Sequence, residues 1–211
     1  MKAILEMKRN ELELEKNNFY LLEQNHMEFS RNNLNITALQ ADFLKELISQ
    51  YNPKTILEFG TSNGYSLLAM MSGLIDKKDF PQKKFISIEV DTQQFNKAQE
   101  VFLSLEQFVV ANQIQLINKN IFDEETLQVI VQQKQDFIFV DCMQGEYEKV
   151  LQYILENEFL SENGVIIFEN IISHSQSYDF YENLKQNSEI LNQFKLVEFP
   201  IHNGFLLLQR Q

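Results

Sequence analysis

The chain has 211 residues, 44% of them apolar and 23% charged, and carries a formal net charge of −12 with a pI near 4.7. That balance lacks the basic footprint a phosphate backbone requires, so nucleic acid is a disfavoured partner, and no apolar run approaches the ~18 residues of a membrane span. The single cysteine, Cys142, excludes an internal disulfide and fits a reducing compartment; with no signal-like N-terminal segment, a cytoplasmic protein is expected.

Residues 1–34 are rich in Glu, Leu and Lys and read as a helical arm whose apolar positions form no single stripe, and residues 35–211 read as one α/β domain. Thr37-Ala-Leu-Gln40 is a capping-box pattern opening a helix with Leu39, Phe43, Leu44, Leu47 and Ile48 on one face, and Asn52-Pro53 stops it. Ile56, Leu57 and Phe59 then form a short buried strand, followed by a polar turn and an apolar helix from about Tyr65 to Ile75. The next strand, Lys84 to Asp91, ends in Glu89. Phe95, Ala98, Phe102 and Leu105 recur at helical spacing, Ile114 to Ile117 is a third strand, and Asp123 opens a helix carrying Leu127, Ile130 and Val131. Asp136 to Asp141 reads as a fourth strand, buried on both faces, and a helix with Tyr147, Val150, Leu151 and Ile154 leads to a fifth, Gly164 to Phe168. The tail breaks the alternation, because Phe194 to Phe199 and Gly204 to Leu208 are close enough to form an antiparallel hairpin.

Two of only six glycines, Gly60 and Gly64, fall at the first strand–helix junction in the pattern Glu58-x-Gly-x-x-x-Gly. That spacing is neither the dinucleotide fingerprint nor the phosphate loop. It still gathers backbone N–H groups and a helix N-terminus at one point, with room for a ligand. In a doubly wound sheet the end of the second strand lies beside that loop, where Glu89 can accept both hydroxyls of a ribose. Asp141, Glu169 and Asn170 follow the fourth and fifth strands and so emerge at the same edge. Two carboxylates and an amide oxygen suit a hard divalent cation, Mg²⁺, Mn²⁺ or Ca²⁺. A cation there could bind two adjacent hydroxyls of a substrate and lower the pKa of one of them.

Glu58-Phe-Gly-Thr-Ser-Asn-Gly64 with Glu89 resembles the first motif and the following acidic position of the class I S-adenosylmethionine-dependent methyltransferases. The trio of Asp141, Glu169 and Asn170 extends the likeness to the cation-dependent O-methyltransferases, which include catechol and caffeoyl-CoA O-methyltransferases, over about Asn35 to Leu208. Phe137 to Asp141 with Tyr147, Gly164 to Asn170, and Asn203-Gly204-Phe-Leu-Leu each look like a family segment. The resemblance implies a Rossmann-like three-layer α/β/α sandwich with a seven-stranded, mostly parallel sheet and a C-terminal antiparallel hairpin. It implies S-adenosylmethionine as methyl donor, a small hydroxylated acceptor and a homodimer. By the same likeness Glu58 faces the methionine end of the cofactor and the loop with Gly60 and Gly64 passes beneath it. Thr37 flanks the cofactor carboxylate, Ser66 bonds it, Asn120 and Ile121 lie near the adenine, and Asp141 serves both cofactor and metal.

Four positions depart from the family pattern. Met143 replaces a second Asp, Gln144 replaces the catalytic Lys, Glu169 replaces the Asp of an Asp-Asn pair, and one glycine rather than two precedes the fifth strand. An amide does not titrate, so Gln144 is no general base. Three routes stay open: the metal alone activates the acceptor with Asp141 as its ligand, His174 takes the proton, or the chemistry differs. Plainer readings stand beside these, with Asp141 capping a turn, Glu169-Asn170 starting a loop and His174 in a solvated loop. The alternative functions are a tRNA or protein methyltransferase of the same fold and a cofactor-binding or scaffold protein that has lost catalysis. Acceptor contacts are expected on residues 24–36, 143–146 and 171–180.

Overall fold

The structure, a computed structural model, describes residues 36–104, 113–172 and 175–211. The expected N-terminal arm, Leu105 and His174 lie outside the described residues.

Helix α1 (Ala38–Tyr51) opens on Thr37, whose hydroxyl accepts the Gln40 N–H while the Gln40 side chain accepts the Thr37 N–H. Both halves of the capping box are therefore present, and the helix closes on Asn52 in the left-handed conformation just before Pro53. Its buried face is Gln40, Ala41, Leu44, Leu47 and Ile48. Leu39, expected on that face, is 64% exposed. Neighbouring residues point about 100° apart on a helix, so turning Gln40 inward turns Leu39 out.

Seven strands form one sheet: β1 (Thr55–Phe59), β2 (Lys84–Glu89), β3 (Ile114–Asn118), β4 (Gln135–Val140), β5 (Leu160–Glu169), β6 (Phe194–Phe199) and β7 (Phe205–Arg210). Their order is β3-β2-β1-β4-β5-β7-β6, with the first five parallel and β7 antiparallel to both neighbours. Between them run α2 (Tyr65–Ser72), α3 (Thr92–Ser104), α4 (Glu124–Ile130), α5 (Tyr147–Glu156), α6 (Ser175–Leu184) and α7 (Ser188–Gln193). The strand period of two divides the core. Ile56, Phe137 and Val165 pack with Leu44, Leu67 and Phe102 of α1, α2 and α3, while Leu57, Ile138 and Ile166 pack with Ile130, Val150 and Phe180 of α4, α5 and α6. This is the three-layer α/β/α sandwich expected, hairpin included.

The differences are local. Helix α2 ends at Ser72 rather than Ile75, β5 begins at Leu160, and Val131 is 52% exposed because it is the C-cap of α4 and turns away from the sheet. Residues 175–193 form two helices, α6 and α7, that were not anticipated; Asn187 caps the second by accepting the Glu189 and Ile190 N–H groups. Among the described residues no helix is long and apolar enough to cross a membrane.

Candidate active site

The C-terminal ends of β1 to β5 share one edge of the sheet, and the polar residues singled out from the sequence collect there. Glu58 lies one residue before the end of β1 and is fully buried. Its Oε1 accepts the Ser66 hydroxyl of α2 and its Oε2 accepts the Ser87 hydroxyl of β2, each at 2.5 Å. Thr61 Oγ1 extends the network to Ser87 at 2.5 Å. Burial pushes the Glu58 carboxyl up to about 8, against the two hydroxyls and with the charges of Asp141 and Glu89. Ser66 was assigned to the cofactor carboxylate; here its proton is committed to Glu58, leaving its oxygen to accept.

Gly60 and Gly64 are both left-handed, with φ of 98° and 89°. A Cβ on Gly60 would lie 2.0 Å from the Asp141 carbonyl oxygen, and one on Gly64 would lie 2.8 Å from the Phe102 ring. The chain's own packing therefore demands these glycines, in addition to any demand made by a ligand. At the end of β2, Glu89 lies beside the loop: its Oε2 accepts the Ser62 N–H at 2.7 Å and its Oε1 accepts the Asp91 N–H at 2.8 Å. A carboxylate oxygen has two lone pairs, so each keeps one for a hydroxyl donor. Asn120 follows β3 and spends its side-chain oxygen on the Phe122 N–H, and Ile121 packs half-buried against the α4–α5 side of the core.

On the other half of the edge, Asp141 steps off β4 with its N–H donating to Phe59 at 2.9 Å, which ties it to the end of β1. Glu169, the last residue of β5, is 2% exposed. Gln40 Nε2 of α1 donates to its Oε1 at 2.6 Å and the Tyr147 hydroxyl donates to its carbonyl at 3.0 Å. Asn170 is left-handed, φ 57°, and its carbonyl accepts the Ser177 hydroxyl at 2.5 Å. The Asp141 and Glu169 carboxyl groups come within hydrogen-bonding reach of each other. Burial pushes both carboxyl groups up; the charge of Asp141 adds to the rise of Glu169, while the hydrogen bond from Glu169 holds Asp141 back. Among the described residues, no basic side chain acts on Glu58, Asp141 or Glu169. Met143 is 71% exposed, Gln144 begins a 3₁₀ turn (Gln144–Glu146), and burial pushes the Cys142 thiol up to about 12.

Two buried oxygens at this point, Glu169 Oε2 and Asn170 Oδ1, accept from no N–H or hydroxyl donor among the described residues, although the Asp141 carboxyl group is within reach of Glu169. Buried polar atoms are seldom left so. A hard divalent cation fits them, with Asp141 as the third donor. Because one donor is an amide, the trio is not a cluster of His, Cys, Asp and Glu alone, and no such cluster of three occurs among the described residues. The sequence had not singled out Gln40 as anything but a helix cap, nor Ser87 at all. A serine within the apolar run Phe85-Ile-Ser-Ile88 was the available signal for Ser87.

A parallel sheet closed by a reversed hairpin, with a glycine loop beside an acidic strand end, defines the Rossmann-like methyltransferase fold. The profile of the O-methyltransferase family matches residues 12–200. The O-methyltransferase ankF of Aspergillus thermomutatus is 27% identical over 195 residues, covering 81% of this chain and 77% of the relative. Among solved structures, the O-methyltransferase TomG of Streptomyces achromogenes, in complex with S-adenosylmethionine, superposes with a TM-score of 0.71 at 19% identity, covering 92% of this chain and 89% of that one. A putative caffeoyl-CoA O-methyltransferase of Staphylococcus aureus gives a TM-score of 0.70 at 21% identity over 92% and 99% of the two chains. The chain belongs to the O-methyltransferase family.

Proposed function

We propose that this protein transfers the methyl group of S-adenosylmethionine to a hydroxyl oxygen of a small acceptor, with a divalent cation held by Asp141, Glu169 and Asn170. The observation that carries the reading is the gathering of Glu58, Glu89, Asp141 and Glu169 at one edge, with no basic side chain of the described residues among the groups shifting three of them. Such a site favours cationic ligands, and both a sulfonium and a divalent metal are cations. The cofactor named in the TomG complex supports the same assignment.

In this reading Glu89 holds the ribose hydroxyls, the loop from Gly60 to Gly64 supports the nucleoside, and Asn120 and Ile121 border the base. Thr37 and Ser66 lie at the carboxylate end and Glu58 supplies negative charge to the ammonium. Methyl transfer then needs alignment: an acceptor oxygen forms the new O–CH₃ bond as the S–CH₃ bond breaks, and neutral S-adenosylhomocysteine departs. The acceptor hydroxyl gives up its proton, and Asp141 is one proposed recipient. His174 is the other proposed acceptor of that proton. A bound cation would supply the positive charge that lowers the pKa of the hydroxyl. A cytoplasmic homodimer, with residues 1–34 as an arm on the core or on the second copy, completes the proposal.

Calorimetric titration with S-adenosylhomocysteine, followed by methyl transfer to a panel of vicinal diols with and without Mg²⁺, tests it. Binding with Mg²⁺-dependent turnover is expected. Binding without turnover on any hydroxyl acceptor would favour the reading suggested by Gln144, a cofactor-binding protein without catalysis.

A further inference from the structure

We propose that Gln40 is a positioning residue that fixes the Glu169 carboxylate and aims its free oxygen at Asp141; the inference deepens the function proposed above and rests on it. Gln40 is 1% exposed and 129 residues from Glu169 in the chain, yet the two side chains meet at 2.6 Å. The orientation of its amide is forced. Its Oε1 faces the Thr37 N–H at 2.9 Å, and a backbone N–H can only donate, so the oxygen must lie on that side and the amino group must face Glu169. The Thr37 hydroxyl bonds the same oxygen at 3.0 Å.

A glutamate carboxylate has one more rotatable bond than an aspartate and is harder to hold in one place. Three partners restrain Glu169 and its neighbour. Tyr147 holds the Glu169 carbonyl, Ser177 holds the Asn170 carbonyl, and Gln40 donates to the Glu169 carboxyl group, which also meets Asp141 and the Asn170 backbone. With Oε1 occupied by Gln40, Oε2 accepts from no N–H or hydroxyl among the described residues, and the Asp141 carboxyl group lies within hydrogen-bonding reach of Glu169. Gln40 thus does two things at once: its oxygen completes the cap of α1, and its amino group selects which oxygen of Glu169 the site can use.

A purely structural role and a positioning role separate in two variants. Gln40→Glu keeps an acceptor for the Thr37 N–H, so the cap survives, and at a pH where it is ionised it can no longer donate to Glu169. Gln40→Met keeps the length of the side chain and removes all three of its hydrogen bonds, while the Thr37 hydroxyl still caps the residue-40 N–H. Two measurements on the full chain decide. Crystal structures of both variants should show the Glu169 carboxylate released from its place beside Asp141, and Gln40→Met should lose at least ~10-fold in Mn²⁺ affinity by calorimetry with S-adenosylhomocysteine saturating. Glu169 unmoved in both variants, or unchanged Mn²⁺ affinity in Gln40→Met, would overturn the proposal. A wild-type chain that binds no Mn²⁺ would instead remove the cation from the proposed function, and the position of Glu169 in the variants would still decide the role of Gln40. Should Gln40→Met fail to fold, Gln40→Glu, with its cap intact, settles the point.

Discussion

Beside β1 and β2 the carboxylates are already partnered by the chain: Glu58 takes the Ser66 and Ser87 hydroxyls, and Glu89 takes the Ser62 and Asp91 N–H groups. Beside β4 and β5 the arrangement is different, because Glu169 Oε2 and Asn170 Oδ1 are buried with no N–H or hydroxyl donor among the described residues, and the acids Asp141 and Glu169 meet each other. The first half is preorganised, so its geometry is set before any ligand arrives. The second half keeps buried oxygen acceptors that the proposed cation would use. Changes in the first should act on cofactor affinity and on folding, and changes in the second on what happens to the acceptor.

The largest effect is expected where the halves join. Gly60→Ala places a Cβ 2.0 Å from the Asp141 carbonyl at a φ of 98°. It should cost ~3 kcal/mol or more, since neither the clash with backbone nor the left-handed strain can be relieved locally. Thermal unfolding should show a sharply lowered midpoint, together with loss of both S-adenosylhomocysteine and cation binding; a near-native midpoint would mean the halves are not so joined.

Next comes separation of the halves. Glu169→Ala should leave S-adenosylhomocysteine affinity within about threefold, roughly 0.7 kcal/mol, while abolishing any response to Mg²⁺. Parallel calorimetry and turnover measurements check this, and a large loss of cofactor affinity would show that the division is wrong.

A smaller effect is a pH dependence of the first half. Burial raises the Glu58 carboxyl from 4.5 to about 8, so the stability tied to its protonated form is full below about 4.5 and is lost as pH rises through about 8. The ligand-free melting temperature should therefore fall from pH 6 to pH 9 by at least ~4 °C, and Glu58→Gln should flatten the slope. Binding of the cationic cofactor favours the ionised carboxylate, so its affinity should rise over the same window. A flat melting profile in the native chain would contradict the burial argument.

The smallest effect concerns Cys142, whose thiol is pushed up to about 12 by burial and by Asp141 and Glu146. Iodoacetamide at pH 8 should leave it unmodified in the native chain and alkylate it in denaturant. Rapid native labelling would show that the β4–α5 junction is more open than described.

The sheet was legible in the sequence because parallel strands buried on both faces are written as unbroken apolar runs, as in Phe137 to Val140 and Val165 to Phe168. The hairpin was legible because too few residues separate Phe199 from Phe205 for a helix to cross between them. Helices α6 and α7 were not, since their buried residues are sparse, Ser177, Phe180 and Leu184 in one and Ile190 in the other. In the site, strand ends announced Glu89, Asp141 and Glu169, whereas the partner of Glu169 did not show. Gln40 looks like an ordinary helix cap until the fold brings β5 against the start of α1, a contact that no local pattern records.

The central claim is that the loop from Gly60 to Gly64 and the carboxylate of Glu89 form the nucleoside site. Titration of S-adenosylhomocysteine into native and Glu89→Ala chains of equal thermal stability tests it most directly. Native binding with a loss of at least ~100-fold, about 2.7 kcal/mol, in the variant is the predicted result. Equal affinities in the two chains, or none in the native one, would contradict it.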